Sequence, residues 1–154
     1  MAIGNSSPGP NNMGGVLRGG SGATPGKYML SASTYGTPIT VSDSDTLVHD
    51  GTIAPGAMQE IYLWATNYSG GNLVLQISVV PPEGTAFASS NTIYAPLNAQ
   101  NGLYLVYPGI PCINSKIYVK GAASDTMIVT GFVIQYYPKD VNDLAAGYIS
   151  GPSS

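Results

Sequence analysis

The residues of this 154-residue chain that could do chemistry are few: one histidine, His49, one cysteine, Cys112, and two glutamates, Glu60 and Glu83. A serine hydrolase would have to use His49 as its base, and the sequence has no Gly-x-Ser-x-Gly turn to present a serine. Neighbours on a strand point to opposite faces, so Asp50 is poorly placed to assist His49. We therefore predict a surface histidine at the end of a strand, without a catalytic role.

Cys112 and the two glutamates are no better candidates for catalysis. Cys112 lies among prolines and isoleucines in residues 108–113, which favours an inert, buried thiol over a nucleophile or a cross-link. A lone cysteine excludes an intramolecular disulfide and fits synthesis in a reducing cytoplasm. Glycoside hydrolysis needs paired carboxylates, but Glu60 falls on the non-core face of a predicted strand and Glu83 in a Pro-Pro-Glu-Gly turn. The sequence predicts a protein that is not an enzyme.

The segment Asp43-Ser44-Asp45 has the alternating acids of a calcium loop but lacks the remaining ligands. We interpret it as a turn, because Asp favours turns through side-chain to backbone hydrogen bonds, and we leave calcium binding by Asp43 and Asp45 open. There is no Cys/His cluster for zinc and no phosphate-binding glycine loop between a strand and a helix. We expect no metal and no cofactor.

Charge is scarce: five basic and eight acidic residues make up 8% of the chain, against about 25% in typical soluble domains. The basic residues are scattered, so no patch offsets phosphate charge and we expect no nucleic-acid partner. No apolar run reaches the ~18–20 residues that span a bilayer, and the N-terminus lacks the features of a signal peptide. A surface this poor in charge suits a protein covered by partners.

The chain divides into three parts. Residues 1–26 are rich in Gly, Pro, Ser and Asn, with Arg18 as the one charged residue; such a segment cannot order alone, and we expect an extended arm docked on a neighbouring subunit. Residues 27–137 alternate short strand-like runs with turns, as in a β-sandwich or barrel, and residues 138–154 form a short tail. The predicted strands are 27–33, 38–42, 46–49, 58–67, 72–80, 92–94, 103–107, 116–120 and 126–137.

The clearest predicted pairing is a hairpin between residues 58–67 and 72–80. Each strand has one aliphatic face that must be core, and Ser69-Gly70-Gly71 supplies positions tolerant of φ > 0 for a tight turn. The aliphatic faces consist of Ile61, Leu63 and Ala65 on the first strand and Leu73, Leu75, Ile77 and Val79 on the second. We predict an all-β fold, an antiparallel β-sandwich that is jelly-roll-like, with this hairpin at its centre.

The last predicted strand, 126–137, is apolar on both faces, which indicates burial on both sides. Two layers bury one face of each strand, so the second cover must come from the tail, a loop or another subunit. Gly131, in the middle of the strand, predicts a bulge or a close approach of backbones.

Eleven Tyr and one Trp stand against two Phe, a balance that favours interfaces. Tyr62 and Trp64 share the non-core face of strand 58–67 and are either a contact patch or buried under a loop. Together with Arg18 of the arm and Tyr137 of the last strand, they are the predicted partner-binding residues.

Residues 60–75, EIYLWATNYSGGNLVL, form a strand, a small polar turn and a strand. They resemble the hairpin of β-sandwich virion proteins of tailed bacteriophages, the capsid decoration or cement proteins, and the glycine-rich arm and low charge are similar too. The resemblance implies a homotrimer on the capsid surface that clamps neighbouring major capsid subunits, made in the host cytoplasm and located in the virion. The alternative is a carbohydrate- or receptor-binding module of a phage fibre, with Tyr62 and Trp64 stacked on sugars.

Overall fold

The structure, a computed structural model, describes residues 26–124 and 126–136. Within these ranges the chain forms one 3-10 turn, Gly51–Ile53, and nine β-strands, each of which overlaps a predicted strand. The strand predicted at 103–107 is longer than expected, since it continues through two prolines to Ile113. No helix there is long and apolar enough to cross a membrane. Arg18 and Tyr137 lie outside the described residues, as do the predicted tail and all of the arm except Gly26. The strands are β1 Gly26–Met29, β2 Ile39–Val41, β3 Thr46–Asp50, β4 Met58–Asn67, β5 Leu73–Val80, β6 Thr92–Leu97, β7 Tyr104–Ile113, β8 Lys116–Lys120 and β9 Met127–Tyr136.

The strands form two antiparallel sheets. The first sheet has the order β1-β9-β4-β7, with β2 also paired to β9, and the second has the order β3-β8-β5-β6. Because β1 and β2 both pair with the same edge of β9, they act as two halves of one edge strand. The result is a five-stranded sheet, four strands wide, that faces a four-stranded sheet in the arrangement of a jelly roll, and the predicted all-β antiparallel sandwich is confirmed.

The predicted hairpin of residues 58–80 is wrong, although both of its strands exist. β4 pairs with β7 and β9 in the first sheet, whereas β5 pairs with β6 and β8 in the second. The aliphatic faces do form the core: Ile61 and Leu63 of β4 and Leu75 and Ile77 of β5 are fully buried. They belong to opposing sheets and meet across the sandwich, since an aliphatic face fits a facing sheet as well as a neighbouring strand.

Asn67 supports the crossing between the sheets that replaces the predicted turn. Its buried Nδ2 donates to the carbonyl oxygens of Gly71 and Asn98, at 2.8 and 3.0 Å, and its Oδ1 accepts from the backbone N–H and hydroxyl of Ser69. The described glycines with positive φ are Gly36, Gly56 and Gly109, so Gly70 and Gly71 do not supply the left-handed positions of a tight hairpin. A buried side chain organises this loop.

β9 is buried on one face within the described residues. Met127, Val129 and Val133 lie in the core, while Phe132 and Ile134 are half-buried on the outer side of the first sheet. Gly131 confirms the expected close approach, because a Cβ there would collide with the carbonyl oxygen of Tyr62 on β4. The second cover predicted for β9 is not provided by any described element.

Candidate interaction surface

The outer face of the first sheet carries the aromatic residues of interest. Alternation along β4 places Tyr62 and Trp64 outward and half-buried, opposite the core-facing residues. The register sets Tyr62 beside Phe132 of β9 and Trp64 beside Thr130, and Phe132 beside Met29 of β1. The structure thus brings the two predicted aromatic residues together and adds Phe132 to them.

Three rings and one ammonium group form what we call the aromatic row: Lys27, Phe132, Tyr62 and Trp64. The ring centroids of Tyr62 and Phe132 are 5.0 Å apart with planes inclined by 21°, a separation too short for rings lying side by side, so they are offset-stacked. The Lys27 ammonium lies 4.1 Å from the Phe132 centroid, in cation–π geometry. Trp64 completes the row at 6.4 Å from Tyr62 and 5.7 Å from Phe132.

Gly109 of β7 packs against the Tyr62 ring of the row. Its φ is +76°, and a Cβ at this position would collide with the Tyr62 ring, so a residue without a side chain is required there. The Tyr62 hydroxyl also donates to Oε2 of Glu60 at 3.4 Å. Packing on both sides therefore fixes the Tyr62 ring in place.

Apolar side chains continue the surface around the row. Met29 of β1, Leu105 of β7 and Ile113 of β7 are each more than a third exposed. The strands of the first sheet contain two charged residues, Lys27 and Glu60. The three rings are half-buried. The described loop 98–103 reaches the same side of β4 at Thr66, whose hydroxyl donates to the carbonyl oxygens of Asn101 and Gly102.

Phe132 and Lys27 were missed as candidate residues. Phe132 becomes a candidate only once β9 is known to pair with β4. Periodicity along the chain does not predict a pairing between strands this far apart in the sequence. The cation–π contact of Lys27 depends on the same pairing. Arg18 and Tyr137, which were predicted with Tyr62 and Trp64, are not placed by the described residues.

His49 is not a surface residue, contrary to the prediction. It is 2% exposed, its Nδ1 accepts from the backbone N–H of Ser31 at 3.2 Å, and its Nε2 lies 3.2 Å from Oε1 of Gln59. Because Nδ1 accepts, the proton sits on Nε2 and the ring is neutral. Nε2 of Gln59 in turn donates to Oε1 of Gln135 at 2.6 Å. Burial lowers the pKa of His49, an effect that the bond to Gln59 and the charge of Asp50 partly offset.

Cys112 and His49 both lie near Gln59 but do not form a catalytic pair. Cys112 is the β-sheet partner of Gln59, and burial raises the pKa of its thiol to about 11, which keeps it protonated and unreactive. The hydrogen bonds of the imidazole go to Ser31 and Gln59. The half-buried thiol fits the predicted inert cysteine.

Asp43 and Asp45 lie in the turn between β2 and β3. The backbone N–H of Asp43 donates to Ser124 Oγ at 3.4 Å, and Asp45 pairs with Lys120, whose Nζ is 3.4 Å from Oδ1. Within the described residues, no three His, Cys, Asp or Glu side chains are grouped as a metal site would require.

No protein-family model and no curated protein matches this chain. Similar solved structures include a protein of the Bacillus endospore appendages, which form a novel family of disulfide-linked pili: it is 16% identical over 71% of this chain and 97% of that one, with a TM-score of 0.42. A second is from infectious bursal disease virus, Gx strain: it is 16% identical over 77% of this chain and 34% of that one, with a TM-score of 0.43. At these TM-scores neither likeness carries weight, and the fold assignment rests on the strand order.

Proposed function

We propose that this chain is a virion structural protein, a capsid decoration or cement protein that binds the shell through the outer face of its first sheet and through residues 1–26. The observation that carries the proposal is that face: three aromatic rings and large apolar side chains with two charged residues among its strands. Interface cores are depleted in charge and enriched in aromatic residues and Met. Exposed apolar patches on a soluble protein often mark interaction sites.

The scarcity of charge elsewhere supports the same proposal. With 8% charged residues, the β domain of residues 27–137 has little to keep free copies apart in solution. We propose that the copies form a homotrimer, as the resemblance to decoration proteins implies, and that the chain is made in the host cytoplasm and ends in the virion, attached to the major capsid protein. No catalytic role is part of this proposal.

A carbohydrate-binding role has less support from the geometry. Sugar stacking needs an aromatic face open to the ligand, but one face of Phe132 packs on Tyr62 and the Lys27 ammonium lies over the ring. Tyr62 is held between Phe132 and the backbone of Gly109. The packed faces of Tyr62 and Phe132 are therefore not free to stack on a pyranose ring.

The test is attachment to shells of the parent virus prepared without this protein, measured by co-sedimentation. Trp64→Glu places a carboxylate in the aromatic row and should weaken attachment at least thirtyfold, the range of an interface hot spot of about 2 kcal/mol. Tyr94→Glu is the matched control, since Tyr94 is 64% exposed on β6 of the second sheet and should attach normally. Circular dichroism of both variants confirms the fold.

The contribution of the arm is tested by deleting residues 1–25, which retains Gly26 because it begins β1. This variant should stay folded and lose attachment. Normal attachment of both Trp64→Glu and the deletion would exclude the proposed binding mode. A trimer in light scattering of the purified protein would support the proposed oligomer, and a monomer would contradict that part alone.

A further inference from the structure

A cleft between the two sheets is not used by the proposed function. It lies at the edge formed by β6 and β7 and has a volume of about 610 Å³, within the range of small-molecule sites, about 300–1,000 Å³. Apolar side chains form much of its lining, among them Val79, Ile93, Ile110 and Pro111. The cleft is on a different side of the first sheet from the aromatic row, because Tyr107, which also lines it, faces the core.

The hydroxyl of Tyr107 gives the cleft a specific polar feature. Tyr107 is 2% exposed, and none of the described residues makes a hydrogen bond to its hydroxyl. Burial, aided by the neighbouring Cys112, raises its pKa to about 12, so the group is a neutral donor at physiological pH. The hydroxyl is not among the described buried polar atoms that lack a partner, so it is accessible from the cleft, where a bound acceptor would take the place of water.

Two other polar side chains of the cleft are already hydrogen-bonded within the chain. Nδ2 of Asn91 donates to the carbonyl of Thr85 at 2.9 Å, and the Thr92 hydroxyl donates to the carbonyl of Ala88 at 2.8 Å. No Asp, Glu, Lys, Arg or His is among the described residues that line the cleft. A charged ligand would leave water without a compensating partner.

We propose that this cleft binds an uncharged small molecule whose apolar body packs on Val79, Ile93 and Ile110 and whose oxygen accepts a hydrogen bond from Tyr107. The lining selects the class: a ketone, ether or alcohol of one ring or a short aliphatic chain, in preference to a hydrocarbon or a carboxylate.

The test uses the full chain and three probes of similar size: acetophenone, ethylbenzene and benzoate. Binding is followed by NMR through the methyl signals of Val79, Ile93 and Ile110. Acetophenone should bind most tightly, ethylbenzene more weakly and benzoate least. Tyr107→Phe should weaken acetophenone about fivefold, the effect of one hydrogen bond, and leave ethylbenzene unchanged.

Tyr104→Phe is the matched control, since Tyr104 lies on the same strand but is exposed and outside the cleft; it should change nothing. Equal binding of acetophenone to wild type and Tyr107→Phe would overturn the role of the hydroxyl, and absence of binding at millimolar concentration would overturn the site. Contacts between the cleft methyls and residues 137–154 would assign the cleft to the chain itself, and methyl shifts that depend on protein concentration would assign it to a second copy. Either result would contradict the proposal.

Discussion

The outer faces of the two sheets differ in how the chain's own loops cover them. On the second sheet, loop 81–91 folds back over β5, so that Ser78 is fully buried although it lies on the side away from the core. Its Oγ accepts from the backbone N–H of Phe87 at 2.9 Å and lies 3.0 Å from Oδ1 of Asn91. On the first sheet, Tyr62, Trp64 and Phe132 stay half-buried on the outer side, and loop 98–103 contacts this side only through its hydrogen bonds to the Thr66 hydroxyl among the bonds of the described residues.

The charged groups of the two sheets are also arranged differently. The second sheet holds two ion pairs, Lys116 with Asp50 at 4.0 Å and Lys120 with Asp45 at 3.4 Å, and the Lys120 ammonium also lies 4.5 Å from the Phe87 ring centroid. On the first sheet, the Lys27 ammonium instead packs on a ring. On the second sheet, charged groups pair within the chain, whereas the strands of the first sheet carry two charged residues, a composition that protein interfaces share.

One edge of the first sheet, β7, is poorly suited to assembly by strand addition. β7 contains Pro108 and Pro111, which lack N–H donors, and Gly109 with positive φ. Its pairing with β4 shifts register twice. Prolines and bulges are the usual devices against strand addition at an edge, so β7 is protected from pairing with a strand of another molecule.

The largest expected effect on stability comes from Gly131, where β9 approaches β4 beneath the aromatic row. In Gly131→Ala the new Cβ meets the backbone of Tyr62, which cannot rotate away as a side chain can. We expect a loss of about 3 kcal/mol in the free energy of unfolding, measured by chemical denaturation, and a separation of the Tyr62 and Phe132 rings. Gly70→Ala, with no atom within 4 Å of the new Cβ, is the control; equal effects of the two would show that β4 and β9 do not depend on this close approach.

A smaller effect on stability is expected where loop 81–91 covers the outer face of the second sheet. Ser78→Ala removes only the oxygen that holds Phe87 and Asn91. Leaving these half-buried groups without this partner should cost about 2 kcal/mol and open loop 81–91 to proteolysis. Thr130→Val, on the outer face of the first sheet, should change stability by less than about 0.5 kcal/mol. If Thr130→Val proved as damaging as Ser78→Ala, the distinction between the two faces would be lost.

The strands were predictable because their signal is local. Alternation identified Ile61 and Leu63 as core residues and Tyr62 and Trp64 as outward residues, and turn residues set the boundaries. Pairing was not predictable in the same way: the aliphatic face of β4 is equally satisfied by a neighbour in its sheet or by a facing sheet, and Gly70-Gly71 resembles a hairpin turn while Asn67 organises a crossing.

Half of the aromatic row was predictable from the sequence, for the same reason. Tyr62 and Trp64 are two residues apart and share a face by periodicity alone. Phe132 and Lys27 reach them through β9 and β1, whose register depends on the whole jelly roll. The burial of His49 escaped prediction because its partners, Ser31 and Gln59, come from two other segments, and neither residue type signals a histidine site.

The smallest expected effect on stability is that of pH, which acts on the hydrogen bonds that His49 makes between the two sheets. His49 of β3 in the second sheet reaches Gln59 of β4 and, through it, Gln135 of β9 in the first. Protonation would add a proton to Nδ1, directly against the N–H of Ser31. Burial lowers the pKa of His49 in the folded chain, so the unfolded chain binds the proton at higher pH. The stability that the neutral ring contributes is complete above about pH 6.5 and is lost as the pH falls below it.

The free energy of unfolding should therefore decrease from pH 7.5 to pH 5, with a slope of at most about 1.4 kcal/mol per pH unit. His49 is the one histidine of the chain, so His49→Asn, which is less stable at pH 7.5, should lack this slope. Denaturation curves of both proteins across the range provide the measurement. Parallel pH profiles would mean that the imidazole is hydrated in the folded protein, and that the sheets are held together by the apolar core without a pH-sensitive link.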